Sequence, residues 1–418
     1  MKRVLHGNLI FAPACGTVTC IENGYLVYEN DRILGTFSEL PERFQSASVE
    51  DFSGRLILPA FTDMHLHAPQ YPMLGMGMDL PLLEWLNRYT FRAEARFADP
   101  DYARRIYAQL GKELVRNGTT RVCMFSSLHT DATLILMEEL ERVGISGYVG
   151  KVQMDRNGAS YYQETTEQSK AETLRFLTAC ERFADIRPIL TPRFTPACSD
   201  ELMRWLGSIA NERNLPVQSH LSENTQEIAL VHRLHPDTER YWETYAKFGL
   251  WKPGTLMAHC VYSDEVERKA IKDYGVSVVY CADSNINIAS GIAPIRQMLT
   301  EGIPVLLGSD IAGGAQLSML QVMQMSIRGS KMKTIESRWT TPFLSVAEAF
   351  YLGTSAGAMY FGEQPGFSAG NRLHAVVIDD RRLPDTDRLT LTERFERAVY
   401  RTEPGDIVAV YGNGRRLK

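Results

Sequence analysis

Two histidines spaced two residues apart are the feature of this sequence that could do chemistry most directly. His65 and His67 close a segment that follows the apolar residues 56–60. An apolar run that ends in alternating polar residues predicts a buried strand, here over residues 57–65, whose carboxyl end opens into a pocket. Because side chains alternate across a strand, Asp63, His65 and His67 point the same way, and the two imidazoles could share a metal ion. Two polar residues of a surface turn would give the same pattern.

Polar residues also interrupt apolar runs at the ends of several other predicted strands. They are Arg193, His220, His259 and Asp310. Each alone has an ordinary explanation, such as a hydrogen-bonded histidine in the core or an aspartate at a helix N-terminus. Together the histidines and the aspartate form a borderline-to-hard ligand set that suits zinc or iron(II). His129, at the end of another predicted strand, is a rival ligand.

The elements that must position these residues alternate along the middle of the chain. Strand-like segments occur eight times, at residues 57–65, 119–125, 147–154, 187–193, 216–220, 256–259, 277–281 and 305–309. Amphipathic segments lie between them, for example at residues 102–116, 166–183, 200–212 and 265–272. This pattern predicts an α/β fold, a (β/α)8 TIM barrel with its active site at the carboxyl ends of the strands. A doubly wound open sheet is the alternative, but no glycine-rich nucleotide motif follows the first strand.

Both ends of the chain carry short strand-like segments separated by turn residues. Near the start, Glu22-Asn23-Gly24 and Glu29-Asn30-Asp31 separate three such segments, a pattern typical of β-hairpins. Near the end, residues 373–378 and 406–411 are strand-like. The two ends could therefore build one small β-domain.

The connection after the first predicted strand is unusually long. It contains the methionine-rich residues 72–78 and an aromatic-bearing helix from Leu82 through Phe91. Loops of this length inside a compact domain are usually functional, often as lids over a site. We therefore expect a lid here, with the methionines filling gaps in the packing.

Composition argues against several classes of protein. The 418 residues are 44% hydrophobic and 23% charged, which is typical of a soluble globular protein. A formal net charge of −5 without a basic run argues against a nucleic-acid partner, and no apolar stretch approaches the roughly 18 residues of a membrane span. Residues 6–8 interrupt the apolar start, so we expect no signal peptide and a chain that begins at or near Met1. Seven cysteines without a C-x-x-C pair favour a cytoplasmic protein.

Several motifs make the chain similar to a known family. They are residues 65–71 (HLHAPQY), 80–86 (LPLLEWL), 117–120 (NGTT), 191–194 (TPRF), 218–224 (QSHLSEN), 257–259 (MAH) and 307–310 (LGSD). With these motifs the chain resembles the amidohydrolase superfamily, in its deaminase branch, and most closely the family of guanine deaminases. The similarity covers most of the chain, and LPLLEWL and PRF are its narrowest marks.

The resemblance implies a (β/α)8 barrel over residues 58–371 and a small β-sandwich domain built from residues 1–57 and 372–418. It also implies a homodimer with one zinc ion per subunit, for which iron(II) is the alternative metal.

By position, the resemblance assigns the metal and the proton chemistry to residues at the predicted strand ends. The metal ligands would be His65, His67, His220 and Asp310. Glu223 would be the proton shuttle, and His259 would hold the attacking water or the developing oxyanion. Asp310 would also accept the proton of the water, so Glu223, Asp310 and His259 form the expected catalytic set.

The substrate that the resemblance implies is guanine, hydrolysed at its amino-bearing carbon to xanthine and ammonia. Gln70, Arg193 and Phe194 would hold the ring, Arg193 by donating to its carbonyl oxygen and Phe194 by stacking. The ring would also contact residues at the metal: His67, His220, Glu223 and Asp310. Adenine lacks the carbonyl, so a buried Arg193 would be left unpaired against it and the site should discriminate.

One departure from the family pattern keeps alternatives open. Asp283 stands where the family has a neutral residue after the seventh predicted strand. It is either a loop residue or an extra carboxylate near the pocket that changes the preferred ring. The alternatives are therefore a deaminase of 8-oxoguanine, a pterin or an aminotriazine, and more remotely a catalytically inactive barrel scaffold. Cytidine-deaminase-type zinc chemistry needs H-x-E and P-C-x-x-C, and neither motif is present.

Overall fold

The structure is a computed structural model that describes residues 2–382 and 389–418. Within these ranges it contains seventeen strands: β1 Lys2–Ala14, β2 Thr17–Glu29, β3 Arg32–Phe37, β4 Ser48–Pro59, β5 Phe61–His67, β6 Thr119–Phe125, β7 Ser146–Gly150, β8 Val152–Gln153, β9 Ile186–Pro188, β10 Thr191–Pro192, β11 Val217–Leu221, β12 Thr255–His259, β13 Ser277–Tyr280, β14 Val305–Leu307, β15 Ala375–Ile378, β16 Ile407–Gly412 and β17 Arg415–Arg416.

Strands from both ends of the chain form one seven-stranded sheet. Its order is β17-β16-β15-β4-β1-β2-β3, and the two ends meet where β4 pairs antiparallel with β15. Because side chains alternate along a strand, Leu5 and Leu9 pack on one face of the sheet, and Val4 packs on the other. Met1 and residues 383–388, which belong to the two predicted terminal segments, lie outside the described residues.

The apolar run before the two histidines belongs to two different strands. The prediction of one strand over residues 57–65 is wrong at its start, because residues 56–59 pair with β15 in the terminal sheet. The partners change after Pro59: Ala60 N donates to His374 O, and Phe61 N donates to Gly118 O. Proline has no N–H to donate to a sheet, so Pro59 is a natural end for β4.

The first hairpin turns at a different place from the predicted one. The turn predicted at residues 22–24 is wrong, because β2 runs through them, with Asn23 in the left-handed region (φ 46°) beside a shift of register against β1. The chain turns instead at Cys15 and Gly16, where Gly16 has a φ of 78° that glycine adopts without strain. The turn predicted at residues 29–31 is confirmed between β2 and β3.

The middle of the chain forms parallel sheets, as the alternating pattern predicts. Their orders are β5-β6-β7-β9, β11-β12-β13-β14 and, for a two-stranded sheet, β10-β8. Every residue of β5, β6, β11 and β12 is buried, which is typical of parallel strands covered on both faces. Backbone hydrogen bonds continue between the sheets: Leu190 N donates to Pro216 O, and Asp310 N donates to His65 O.

Helices connect these strands. Fifteen α-helices lie among the described residues: α1 Leu82–Trp85, α2 Phe91–Ala95, α3 Pro100–Arg116, α4 Thr130–Arg142, α5 Thr166–Ala179, α6 Asp200–Glu212, α7 Thr225–Leu234, α8 Glu243–Ala246, α9 Glu265–Asp273, α10 Ala282–Asn287, α11 Ile295–Thr300, α12 Met319–Glu336, α13 Val346–Gly353, α14 Ser355–Tyr360 and α15 Leu391–Arg401.

The predicted helix at residues 200–212 is confirmed as α6, and its start has a clear cause. Ser199 caps it by accepting a hydrogen bond from Leu202 N. The predicted lid helix is interrupted, since a π-helical turn, Leu86–Thr90, separates α1 from α2. In the described part of the chain, no helix combines the length and the apolar character that crossing a membrane requires.

Candidate active site

Side chains from the carboxyl ends of four parallel strands converge on one point. His65 and His67 end β5, His220 lies in β11, His259 ends β12, and Asp310 follows β14. The ligand atoms of His65, His67 and His220 lie within 4.8 Å of one another, and so do those of His65, His259 and Asp310. The four residues predicted to bind metal are therefore close together, with His259 beside them.

The spacing of these atoms fits a divalent metal ion. His67 Nε2 lies 3.1 Å from His220 Nε2, and Asp310 Oδ1 lies 3.3 Å from His65 Nε2 and 3.5 Å from His67 Nε2. Ligand atoms about 2.0–2.1 Å from a tetrahedral zinc ion would be about 3.3 Å apart. His65 Nε2 is buried and its nearest charged partner is the Asp310 carboxylate, as expected of a nitrogen that binds metal beside that residue. The donor set and its spacing therefore suit zinc.

Hydrogen bonds fix which nitrogen of two histidines faces the centre. His220 Nδ1 donates to Arg193 O at 2.6 Å, and His259 Nδ1 donates to Asn285 Oδ1 at 2.8 Å. Each ring therefore turns its Nε2 lone pair inward. Burial, and then the neighbouring imidazoles, hold the pKa of His220 well below its ordinary value. A neutral imidazole is the form that binds metal.

The backbone at the strand ends contributes to this convergence. His259 (φ 74°) and Asp310 (φ 48°) have left-handed backbones, which are uncommon for residues other than glycine and concentrate at functional sites. Asp63 accepts hydrogen bonds from Ser309 N at 2.9 Å and from Ser309 Oγ at 2.5 Å. Asp63, in β5, therefore holds the residue that precedes Asp310.

Two carboxylic acids at the centre have opposite environments. Burial, and then the charge of Asp310, raise the pKa of Glu223 well above its usual range. Burial alone would also raise the pKa of Asp310, but hydrogen bonding to His65 and the surrounding imidazoles outweigh it and lower that pKa. Glu223 Oε2 lies 3.4 Å from His259 Nε2. The arrangement therefore supplies a proton carrier, Glu223, beside a carboxylate, Asp310.

A cavity opens onto this centre. Residues with predicted roles line it: His67, Gln70, Arg193, Phe194, His220, Glu223, His259 and Asp310. The other lining residues, to which the sequence assigned no individual role, are Leu82, Trp85, Leu86 and Ile288. Three of these belong to the predicted lid, so the unusual length of that loop was the signal for them.

Arg193 is not free in this cavity. Glu94, on α2, accepts from Arg193 Nη1 at 2.6 Å and from Nη2 at 3.0 Å, and Gln70 Nε2 donates to Glu94 Oε1 at 2.8 Å. The expectation that Arg193 would be left unpaired against adenine is therefore wrong, because Glu94 pairs with it in any case. Glu94 was not among the predicted site residues, because its only signal in the sequence is an acidic residue just after the aromatic lid helix.

Two residues whose roles the sequence left open neither line the cavity nor belong to the ligand groups of the described residues. Asp283, at the start of α10, accepts a hydrogen bond from Ala315 N at 2.7 Å, and it does not line the cavity. It therefore holds the loop after Asp310. His129, the rival ligand, precedes α4 and belongs to neither ligand group found among the described residues.

Comparisons with known proteins agree with this geometry. The model of the amidohydrolase family matches residues 56–417. The chain is 37% identical to a guanine deaminase of Dictyostelium discoideum, covering 90% of this chain and 85% of the relative, and 36% identical to one of Homo sapiens, covering 99% and 92%. It is also similar to the crystal structure of guanine deaminase from C. acetobutylicum with guanine bound in the active site. That likeness has a TM-score of 0.97 and 42% identity, and covers 100% of both chains.

Proposed function

The chain belongs to the amidohydrolase family and, within it, to the guanine deaminases, and on this premise we propose that it hydrolyses guanine to xanthine and ammonia with one bound zinc ion. The observation that carries the proposal is a single cavity in which a histidine–aspartate ligand set faces Arg193, Gln70 and Phe194. A relative of nearly the same fold holds guanine in its active site, which supports the choice of ring.

The metal would be held by His65, His67, His220 and Asp310, whose separations and neutral imidazoles support zinc, with iron(II) as the alternative. Zinc, when bound, lowers the pKa of a water molecule towards about 7 and so makes a hydroxide nucleophile available at neutral pH.

Glu223 moves the protons of the reaction. The amino-bearing C2 of guanine is a poor electrophile until the adjacent ring nitrogen is protonated, and the amino group must leave as ammonia. Because its pKa is raised by burial and by Asp310, the Glu223 carboxyl group holds a proton that it can give to the ring nitrogen. Asp310 would take the first proton of the attacking water, and Glu223 would pass the remaining hydroxyl proton to the departing amine. The proton on Asp310 then returns to Glu223, which restores both groups for the next cycle. His259, whose Nε2 lies 3.4 Å from Glu223, stabilises the charge that develops on the attacking oxygen.

The other end of the cavity holds the ring. Arg193 has five N–H groups, and its bidentate pair with Glu94 uses two of them, so others remain to donate to the carbonyl oxygen of guanine. The amino group of adenine at the same ring position offers N–H donors, which would oppose those of Arg193. Phe194 supplies an apolar ring surface for stacking.

For the architecture, we infer that the parallel sheets form a (β/α)8 barrel over residues 58–371. The hydrogen bonds that link β10 to β11, and the loop after β14 to β5, support this closure. The terminal sheet would be part of a β-sandwich domain from residues 1–57 and 372–418. A homodimer, a cytoplasmic location and the absence of nucleic-acid and membrane partners complete the proposal.

The test is ammonia release by the purified, zinc-loaded protein from guanine, 8-oxoguanine, adenine, cytosine, a pterin and an aminotriazine. We expect release from guanine, with xanthine formed in equal amount. If ammonia is released only from another ring, the proposed mechanism stands and that ring is the substrate in place of guanine. No release across the panel, with zinc bound, would overturn the proposal in favour of an inactive scaffold or an untested ring.

A further inference from the structure

A buried carboxylate that does not touch the cavity connects two side chains that do. Glu94 is fully buried and lies on α2, immediately after the π-helical turn of the lid. It accepts three hydrogen bonds, two from Arg193 and one from Gln70. Arg193 and Gln70 both line the cavity, and Glu94 does not. Any influence of Glu94 on a bound ring must therefore act through these two residues or through its charge.

The contacts of Glu94 leave Arg193 and Gln70 little freedom. Gln70 Oε1 accepts from Ala312 N at 3.2 Å, so its amide is held at both ends. The guanidinium carbon of Arg193 lies 5.3 Å from the centre of the Phe91 ring, and its two outer nitrogens are taken by Glu94 in a fork. The donors that face the cavity are therefore fixed before any ligand arrives.

The charge balance of this end of the cavity also depends on Glu94. Both side chains are buried, and Arg193 Nη1 lies 2.6 Å from Glu94 Oε2, so the positive charge of Arg193 is paired directly with a carboxylate. Arg193 and Glu94 together carry no net charge, so the pair offers N–H groups to a ring without attracting anions. Loss of the Glu94 charge would leave one uncompensated positive charge beside the ring.

We propose that Glu94 determines the specificity of this cavity for a neutral oxopurine over an anionic one, by fixing Arg193 and Gln70 and by cancelling the charge of Arg193. The inference rests on the proposed function for the class of ring. The effect of the Glu94 charge on ligand preference can be measured by equilibrium binding, without turnover of a substrate.

The structure supplies a matched control for this inference. Buried Arg121 pairs with Glu363, which is partly buried, and neither residue lines the cavity. Glu94 could serve only to neutralise a buried arginine. In that case Glu94→Gln and Glu363→Gln would both change the free energy of unfolding and nothing else. They would leave the preference between two ligands unchanged.

The experiment measures equilibrium binding of two probes to the zinc-loaded protein by calorimetry at neutral pH. Hypoxanthine is a neutral oxopurine and urate is an anionic one. The quantity compared is the ratio of their Kd values, urate over hypoxanthine, in which effects of the variant on shape and folding largely cancel. In Glu94→Gln we expect this ratio to fall by about tenfold or more, since an uncompensated unit charge beside the ring acts strongly even at an effective dielectric constant of about 20. In Glu363→Gln it should stay at the wild-type value.

A second variant covers the case in which Glu94→Gln does not fold. Arg193→Gln leaves the charge of Glu94 uncancelled, so the same ratio should rise. Steady-state kinetics add a readout that general destabilisation would not give: Glu94→Gln should raise the KM for guanine about tenfold or more and change kcat much less. An unchanged ratio in folded Glu94→Gln, or a fall in Arg193→Gln, would overturn the inference.

The outcomes separate this inference from the function on which it rests. Absence of ammonia release from guanine by the wild-type protein would count against the proposed function, while the Kd ratio would still decide the role of Glu94. Failure of the wild-type protein to bind either probe would overturn the inference together with its premise.

Discussion

Replacing Glu223 by glutamine should separate proton transfer from metal binding. The amide has nearly the shape of the carboxyl group, and it can still accept the hydrogen bond that Ser290 Oγ donates to Glu223 Oε1 at 3.3 Å. It cannot carry a proton between the water, the ring and the leaving amine. Glu223 belongs to neither ligand group, so the zinc content of Glu223→Gln should equal that of the wild type.

The expected size of the effect follows from the role of Glu223. A positioned general acid or base typically contributes about 10²–10⁴-fold, and Glu223 would serve in both the attack and the departure. We therefore expect kcat to fall by about 10³-fold, which corresponds to about 4 kcal/mol in the activation free energy. The KM for guanine should change only a few-fold, because Arg193, Gln70 and Phe194 remain in place.

The assay is steady-state ammonia release from guanine, with zinc measured on the same samples. The control is Glu267→Gln, which changes another buried carboxyl group whose pKa is raised by burial. Glu267 accepts from Ser263 Oγ at 2.6 Å and does not line the cavity, so its variant should keep wild-type kcat. Near-normal kcat in Glu223→Gln would refute the assignment and require another residue to move the proton.

Three further predictions concern the metal, the pH dependence of folding and the ion pair of buried Arg121. His65→Ala removes a residue common to both ligand groups and should abolish zinc retention and turnover together; full zinc content after dialysis would contradict the metal site. Burial raises the pKa of Glu227 from 4.5 to about 7, so its contribution to stability is complete below pH 4.5 and is lost as the pH rises to about 7. Urea titrations at several pH values would give the difference in unfolding free energy between the wild type and Glu227→Gln. This difference should fall by about 3 kcal/mol between pH 4.5 and about 7, and a constant difference would contradict the prediction. Glu363→Ala leaves buried Arg121 unpaired and should cost about 3–5 kcal/mol of unfolding free energy, and a loss under about 1 kcal/mol would count against the pair.

The parts of the site that could be predicted from the sequence share one physical cause. Parallel strands are buried on both faces, so a polar residue at the end of an apolar run marks the carboxyl end of a strand. That rule found His220 and His259, which end or nearly end β11 and β12. The same regularity found β6 at its observed bounds, and the amphipathic pattern found α6.

The errors come from contacts that local patterns do not encode. Hydrophobicity shows that residues 56–59 are buried but not that they pair with β15, more than 300 positions later in the chain. Glu94 illustrates the same limit, because its meaning depends on Arg193, which is distant in sequence and adjacent in space. A single acidic residue after an aromatic helix gives no periodic signal of such a partner.

The division of labour between Glu223 and Asp310 follows from their neighbours rather than from their chemistry. Both are buried carboxylic acids in the same cavity, and burial alone would raise the pKa of both. Asp310 faces the histidines at the carboxyl ends of β5 and β12, so it stays ionised and suits a metal ion. Its negative charge is then one of the causes that raise the pKa of Glu223 and keep the proton there. Titratable groups whose environments push their pKa values apart indicate which is the acid and which the base. Removing the charge of Asp310 should therefore weaken the metal site and also release the proton of Glu223 more readily, which couples the two functions of the site.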